Sequence, residues 1–255
     1  MTDPAVDLSL IIPCYNEETI MRESFAEVVK LLNTTVYSYE IILVEDKSRD
    51  NTLEIVKDLV KQYDSINIKL ICHEKNTGRG KAVTDGIRAA SGEVVGFIDI
   101  DLEVAIHNII PLVNKIKEGF QVASGKRAYK STVNQRGISS KSYSWLVRKL
   151  LNVKLMDTET GFKFFNREAI LPLLQKTEDP HWFWDTEIMV RSYYEGLRMV
   201  EYPVLFIRRP EVPSTLRFFH DCFYSFFKML QFRKIATEYR RKADERPRII
   251  PPVQQ

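Results

Sequence analysis

Short apolar runs alternate with amphipathic stretches along the first half of the chain. Four runs rich in Ile, Val and Leu predict β-strands at Leu8–Cys14, Glu40–Glu45, Ile66–Cys72 and Val94–Asp99. Between them, apolar residues recur every three or four positions, which predicts helices at Glu18–Leu32, Asp50–Gln62 and Gly80–Ala90. Strands that alternate with helices favour a mostly parallel sheet with helices on its faces. Ligands bind to such a sheet at the carboxyl ends of its strands.

The second half of the chain is less regular. A strand is predicted at Phe120–Gly125, and the polar, basic segment Lys126–Lys141 that follows reads as a loop or a poorly packed helix. The remaining predicted elements are helices at Ser142–Leu151, Phe183–Tyr194 and Leu216–Phe232 and a strand at Met199–Ile207. Three prolines after residue 246 argue against helix at the end of the chain.

Composition and charge indicate one globular domain with an appendage. Of the 255 residues, 44% are hydrophobic and 28% are charged, and the net charge of +3 is low for a nucleic-acid-binding protein. Three scattered cysteines indicate a reducing cytoplasm rather than a disulfide framework or a zinc site. We expect no signal peptide, and the longest run without Asp, Glu, Lys or Arg, Val104–Asn114, is too short to span a bilayer. The expected protein is therefore soluble or peripheral to a membrane.

The strongest chemical signal is the Asp-Ile-Asp sequence at the end of the fourth strand. Asp99 and Asp101 flank Ile100, and because side chains alternate in an extended segment, both carboxylates can point to one side. Paired carboxylates at a sheet edge suit a hard divalent cation that holds a diphosphate. Glu103 continues the alternation as a candidate third ligand. The alternative is that the pair only starts a loop or caps the next helix.

Three more polar segments follow the first three predicted strands: Pro13–Glu17, Val44–Asp46 and Asn76–Lys81. All four segments lie at carboxyl ends of strands, where one ligand can touch them together. The Gly78–Lys81 part has the composition of a phosphate-binding loop but not the spacing of a P-loop. Taken alone, it would read as a glycine turn into a helix.

These motifs in their order resemble the inverting GT-A glycosyltransferases of family 2. The resemblance rests on Ile11–Glu17, Val44–Asp46, Gly78–Ala82 and Asp99–Asp101. Within that family, Asp157–Phe165, Phe183–Glu187 and Glu201–Val204 are similar to signatures of dolichyl- and other polyprenyl-phosphate glucosyl- and mannosyltransferases. The resemblance covers about Leu8 to Phe232. It implies an α/β GT-A domain at 8–213, after an extension at 1–7 and before a helix at 214–235 and a basic tail at 236–255.

The resemblance also implies roles for individual residues. The residues that it places at the nucleotide-sugar donor are Pro13, Tyr15, Glu17, Val44, Asp46, Gly78, Lys81, Asp99, Ile100 and Asp101. Asp99, Asp101 and Glu103 would hold Mg²⁺ or Mn²⁺, although relatives usually carry Gln in place of Glu103. The basic residues that it places at the acceptor phosphate are Arg127, Arg136, Lys141, Arg208 and Arg209. Asp101, Arg127 and Asp185 are the implied catalytic residues, and Asp157 and Lys163 would either form an internal ion pair or contact the acceptor.

The expected reaction is metal-dependent, inverting transfer of a hexose from a UDP- or GDP-sugar to a polyprenyl phosphate. UDP-glucose is the favoured donor, with GDP-mannose as the alternative, and no oligomeric state is implied. A first alternative function keeps the fold but uses a glycan hydroxyl as acceptor, with Asp185 as general base. A second is a non-catalytic nucleotide-sugar-binding or scaffold protein. A nucleotidyltransferase is less favoured, because Pro13–Glu17 stands where such enzymes carry a glycine-rich loop.

The predicted aromatic helix raises a separate question. Phe219, Phe223, Phe226 and Leu230 share one face, which is the row that simple packing on the domain would bury. Further aromatic residues lie outside this row, and seven basic side chains against three acidic ones follow between Arg233 and Arg248. An aromatic helix beside a basic tail is typical of contact with a lipid surface. We therefore expect peripheral binding to the cytosolic face of a membrane, with simple packing or dimerisation as the alternatives.

Overall fold

The computed structural model describes residues 6–129, 135–207 and 218–245. Within these ranges, seven strands form one sheet in the order β3-β2-β1-β4-β6-β5-β7. Their bounds are β1 Leu8–Cys14, β2 Tyr39–Glu45, β3 Ile68–Cys72, β4 Val94–Ile98, β5 Val122–Tyr129, β6 Phe162–Asn166 and β7 Met199–Phe206. All neighbouring pairs are parallel except those of β6, which runs antiparallel to both β4 and β5. The predicted mostly parallel sheet is confirmed.

Helices cover both faces of this sheet. Their bounds are α1 Met21–Leu32, α2 Thr52–Gln62, α3 Arg79–Ala89, α4 Ile109–Lys117, α5 Gln135–Leu151, α6 Arg167–Leu174, α7 Trp184–Tyr194 and α8 Phe218–Glu245. Successive residues of β1 point to opposite faces, so Ile11 joins a core with α3, α5, α6, α7 and α8, while Leu10 and Ile12 join a core with α1, α2 and α4. The result is one three-layer α/β domain.

Two parts of the second half differ from the prediction. β5 continues to Tyr129, into the segment predicted as a loop or a poorly packed helix, because it pairs with β7 from Val122 to Tyr129 without a break. β6 and α6 were not predicted, and neither was α4 in the first half of the chain. β6 has only five residues and Lys163 is the second of them, so its apolar run did not stand out as a buried strand.

The last helix also differs from the prediction, both in length and in the face that it buries. α8 runs to Glu245 rather than ending at Phe232, since neither Gly nor Pro interrupts that stretch. Met229, Phe232 and Ala236 are buried, on the face that packs against α5 and α7. The row that simple packing, the alternative to lipid contact, would bury is exposed over its described part: Phe223, Phe226 and Leu230, together with Phe227.

Across the described ranges, no helix is both long enough and apolar enough to cross a membrane.

Candidate active site

The polar segments predicted to converge do meet at one edge of the sheet, where β1, β2, β3, β4, β5 and β7 end. The backbone of this edge is strained at three points. Asn16, Lys47 and Leu102 follow β1, β2 and β4, and each has a positive φ, between 52° and 59°. Residues other than glycine rarely adopt this conformation, and such strain concentrates at functional sites. The strained turns mark this edge as the candidate site.

Asp46, at the end of β2, organises the loop before α3. Its carboxylate accepts hydrogen bonds from the backbone N–H groups of Thr77 and Gly78, both at 2.7 Å, and contacts His73 Nδ1 at 2.7 Å. Gly78 has a φ of 100°, and a side chain there would collide with His181. Asp46 is almost fully buried. Its carboxylate therefore holds the loop, and contact with a nucleoside base would require it to release these partners.

Glu17, Asp99 and Asp101 form an acidic cluster at the ends of β1 and β4. The pKa of Glu17 is raised from 4.5 to about 8, mainly by burial and further by the charges of Asp101 and Asp99. Burial also raises the pKa of Asp99 to about 6; Arg79 opposes this shift and Asp101 adds to it. Burial and the repulsion between these carboxylates thus penalise the charged forms of Glu17 and Asp99, even though Arg79 lies beside Asp99. The cluster is therefore suited to a cation.

Arg79, the first residue of α3, is the central residue that the sequence prediction missed. Its Nε lies 2.8 Å from Asp99 Oδ1, and its Nη1 donates to Asp185 Oδ2 at 2.6 Å. The guanidinium lies between the rings of Phe97 and Trp182, with centroids 5.2 and 5.3 Å away. Arg79 thus connects the Asp-Ile-Asp sequence with the predicted catalytic Asp185. A basic residue between two glycines at the start of a predicted helix was the available signal.

Asp185 is held between two cations. One oxygen of Asp185 accepts from Arg79, and the other accepts from Lys163 Nζ at 2.6 Å. Lys163 is fully buried. Burial lowers the pKa of Lys163, and the negative charge of Asp185 opposes that shift. Only 2% of Asp185 is exposed. The internal ion pair expected for Lys163 is therefore present, but its partner is Asp185 rather than Asp157.

The acidic residues fit a divalent cation as a partial ligand set. In the part of the chain that the structure describes, no three His, Cys, Asp or Glu side chains are grouped as metal ligands. Mg²⁺ in nucleotide enzymes is commonly bound by one or two carboxylates, with substrate phosphates and water completing its shell. Asp101 and Asp99 can provide those carboxylates. Glu103 lines a cavity with Glu27 and His107, so its role as a third ligand stays a prediction.

On the other side of β4, Arg127 lies towards the end of β5. Its guanidinium makes two hydrogen bonds to Asp157, at 2.7 and 2.9 Å, and a third to Glu159 at 3.0 Å. Burial raises the pKa of Asp157, but the charge of Arg127 and its hydrogen bonds to the carboxylate together hold this pKa below its ordinary value. Asp157 is also fixed through Glu201, which accepts from its backbone N–H at 2.7 Å. Arg127 is thus oriented at the expected edge but already paired.

The other predicted site residues are less directly placed. Val44 and Ile100 are buried in the core, so their side chains do not face the open edge. Lys81 extends along α3 to pair with Asp85. Pro13 pairs with Val44 across the sheet, and Tyr15 follows β1. Of the expected acceptor contacts, Arg208 and Arg209 lie outside the described residues, and the side chains of Arg136 and Lys141, on α5, are likewise not described.

Fold and site together define a GT-A glycosyltransferase, and sequence comparison agrees. The family described as glycosyl transferase family 2 matches residues 9–174, well over half of the chain. The chain therefore belongs to glycosyltransferase family 2, which confirms the resemblance noted above.

Its relatives are larger proteins. Glycosyltransferase AglD of Haloferax volcanii is 34% identical over 80% of this chain and 33% of its own length. The dolichyl-phosphate beta-glucosyltransferases of Trichomonas vaginalis (ALG5A) and Homo sapiens are 29% and 27% identical, over 79% of this chain and 66% and 67% of theirs. This chain thus spans a third of the first relative and about two thirds of the other two.

Solved structures confirm the fold. Glucosyl-3-phosphoglycerate synthase from Mycobacterium tuberculosis, in complex with UDP, superposes with a TM-score of 0.68 over 90% of this chain and 80% of its own. The same enzyme with Mn²⁺, UDP and glucosyl-3-phosphoglycerate gives a TM-score of 0.62. Both are 17% identical to this chain, so the likeness concerns the GT-A fold alone.

Proposed function

We propose that this protein transfers a hexose, with inversion, from a nucleotide sugar to a polyprenyl phosphate of the dolichyl type. One observation carries the proposal: the acidic cluster of Glu17, Asp99 and Asp101 and the arginine Arg127 occupy the same edge of the sheet. A donor diphosphate needs a cation held by carboxylates, and an acceptor phosphate needs a positive side chain. The names of the dolichyl-phosphate beta-glucosyltransferase relatives support the same acceptor.

The donor would bind over β1, β2 and β4. Tyr15 and Glu17 would line the nucleoside, and Asp46 would act through the loop that it holds at Thr77 and Gly78. We favour UDP-glucose, because four relatives are named dolichyl-phosphate beta-glucosyltransferases and the synthase of similar fold was solved with UDP-glucose and Mn²⁺. Asp101, with Asp99, would hold Mg²⁺ or Mn²⁺ on the diphosphate. The bound ion supplies Lewis acidity that stabilises the charge of the departing nucleoside diphosphate.

The state of Asp185 favours a phosphate acceptor over a hydroxyl. A hydroxyl must lose its proton to a general base as it attacks, whereas a phosphate oxygen is already anionic at neutral pH. Asp185 is buried, and its two oxygens already accept hydrogen bonds at 2.6 Å from Arg79 and Lys163, so a hydroxyl acceptor would have to displace one of these partners. Positioning of the anionic oxygen and neutralisation of its charge would then supply most of the rate.

Arg127 would orient the acceptor phosphate. Asp157 is buried and doubly anchored, so it would stay in place and fix the plane of the guanidinium. Glu159 is the more exposed partner, with 35% of its side chain open to solvent against 8% for Asp157. A phosphate would therefore take the place of Glu159 on Arg127.

We further propose that α8 contacts the surface of the membrane that carries the acceptor. Phe223 and Phe227 are 74% and 65% exposed, and Phe226 and Leu230 continue the same face. Arg233, exposed like Lys234, follows within one turn. Exposed aromatic residues next to basic ones suit the boundary between lipid headgroups and acyl chains.

A donor and acceptor screen tests the reaction. The protein is incubated with Mn²⁺, a short-chain polyprenyl phosphate and each of UDP-glucose, GDP-mannose and UDP-N-acetylglucosamine, and nucleoside diphosphate release is measured. We expect acceptor-dependent release from UDP-glucose, loss of release in Asp101→Asn, and an acceptor KM about tenfold higher in Arg127→Lys. The exposed Arg88→Gln should behave as wild type. Release from no donor would contradict the proposal and favour a non-catalytic binding protein, whereas release with a glycan but not with the lipid phosphate would favour the hydroxyl acceptor.

Liposome flotation tests the membrane contact. Wild type should float with vesicles that contain anionic lipid, and the double variant Phe223→Ala/Phe227→Ala should not. Val36→Ala is the matched control. Val36 is 95% exposed and lies before β2, at the sheet edge opposite the candidate site. The membrane role is refuted if wild type stays in the dense fraction or if the double variant floats as well as wild type.

A further inference from the structure

Arg79 makes two ion pairs that a bound metal would affect differently. Its Nε and Nη2 lie 2.8 and 2.7 Å from one oxygen of Asp99, while Nη1 lies 2.6 Å from Asp185. The second oxygen of Asp99 lies against Gly161, where an added Cβ would be only 1.7 Å from it. The Asp99 carboxylate thus has the guanidinium at one oxygen and the Gly161 backbone beside the other, while 35% of its side chain is open to solvent.

A divalent cation at Asp99 would lie close to the guanidinium of Arg79. At the oxygen that already carries the guanidinium, the two positive charges would repel strongly in a partly buried site. At the other oxygen, which lies beside Gly161, the ion would still be close to the guanidinium, because both oxygens belong to one carboxylate. Binding of a metal to Asp99 therefore favours release of Asp99 by Arg79.

Asp185 limits the cost of this release. The guanidinium would keep its bond to Asp185 through Nη1 and its contacts with the rings of Phe97 and Trp182. A buried arginine that lost all its partners would be strongly destabilising, but here one carboxylate stays. The structure thus offers Arg79 two carboxylates, of which only one lies in the metal-binding sequence.

We propose that Arg79 and the divalent cation compete for Asp99, and that Asp185 retains the guanidinium when Asp99 turns to the metal. This inference rests on the proposed function, since it assumes that the metal binds at the Asp-Ile-Asp sequence. It makes Arg79 a positioning residue that links loading of the donor to Asp185. It also implies that metal binds weakly to the free protein and more tightly with UDP, whose phosphates supply the ligands that Arg79 withholds.

Electron paramagnetic resonance of Mn²⁺ measures this competition without catalysis. Arg79→Lys is the informative variant, because it keeps the charge but can pair with only one of the two carboxylates. Competition predicts that Arg79→Lys binds Mn²⁺ about tenfold more tightly than wild type in the absence of nucleotide. A purely long-range effect of charge predicts no change. Arg88→Lys, an exposed position on the same helix, is the control and should match wild type.

Two more measurements separate the possible failures. Asp101→Asn should abolish Mn²⁺ binding, which locates the ion. If wild type with UDP binds no Mn²⁺, the proposed metal-dependent transfer fails and the competition fails with it. If wild type binds Mn²⁺ with UDP but Arg79→Lys binds no more tightly than wild type, only the competition is refuted.

Tryptophan fluorescence gives an independent readout in wild type, which does not depend on the folding of an Arg79 variant. Trp182 stacks on the guanidinium, so Mg²⁺ should change its emission when Arg79 moves. The change should disappear in Trp182→Phe and persist in Trp145→Phe, whose side chain is half exposed on α5. An emission that does not respond to saturating Mg²⁺ with UDP would overturn the proposed movement.

Discussion

Replacement of Glu17 by Gln should remove a pH-dependent loss of folding stability. The folded protein raises the pKa of Glu17 from 4.5 to about 8, through burial and the charges of Asp101 and Asp99. A carboxyl group with a raised pKa favours folding below its unfolded pKa, and this contribution is lost as pH rises through the folded pKa. Between about pH 4.5 and pH 8, the folded state therefore becomes progressively less stable on account of Glu17.

The size of the effect follows from the two pKa values. The difference between 4.5 and about 8 corresponds to at most about 5 kcal/mol. Because Glu17 is only partly buried, water screens a share of this, and we expect about 1–2 kcal/mol. Gln has the same shape without the titrating proton, so its contribution should not change over this range.

Urea unfolding in EDTA, at about pH 5 and about pH 8.5, measures this difference. EDTA removes divalent ions, which would otherwise neutralise the acidic cluster. We expect wild type to lose about 1–2 kcal/mol more than Glu17→Gln between the two pH values. Glu23→Gln, an exposed position on α1, should lose as much as wild type. Equal losses in wild type and Glu17→Gln would refute the electrostatic interpretation of the cluster.

Three further substitutions test the packing around the site. Gly161→Ala places a Cβ 1.7 Å from Asp99 Oδ2, so it should cost about 1–3 kcal/mol in thermal unfolding and weaken Mn²⁺ binding. Lys163→Met leaves Asp185 with one cation fewer in a buried site, and should cost about 3 kcal/mol in urea unfolding. Met229→Ala opens a cavity under α8 and should cost about 2–4 kcal/mol by the same assay. A cost below about 0.5 kcal/mol would contradict each expectation.

The position of the candidate site at this edge of the sheet could be predicted from the sequence, because it depends only on the local order of strand and helix. A parallel strand followed by a helix places the residues between them at the carboxyl edge, whatever the rest of the chain does. The segments after Cys14, Glu45, Cys72 and Ile98 therefore fell where expected. β6 escaped prediction, because a fully buried Lys163 is acceptable only beside Asp185, which lies 22 residues later.

Dependence on partners far away along the chain also explains why the sequence prediction missed Arg79 and preferred Lys81. Two residues apart on a helix point to different sides, so only one of them can face the sheet edge. The composition of Gly78–Lys81 does not say which one does. Arg79 is the residue that pairs with Asp99 and Asp185, which lie 20 and 106 residues away along the chain. Likewise, aromatic residues surround the first half of α8, and only contact with α5 and α7 selects Met229 and Phe232 as the buried side.

The arrangement of charges bears directly on the acceptor. At the proposed donor side, burial and the negative charges of Asp101 and Asp99 raise the pKa of Glu17. On the proposed acceptor side, Asp185 and Asp157 are each paired with cations, and their oxygens already accept hydrogen bonds from Arg79, Lys163 and Arg127. A hydroxyl nucleophile would require the opposite, namely a poorly neutralised carboxylate where the acceptor binds. A nucleophile that arrives already anionic needs only a cation to meet it, and Arg127 can do so by exchanging Glu159 for a phosphate.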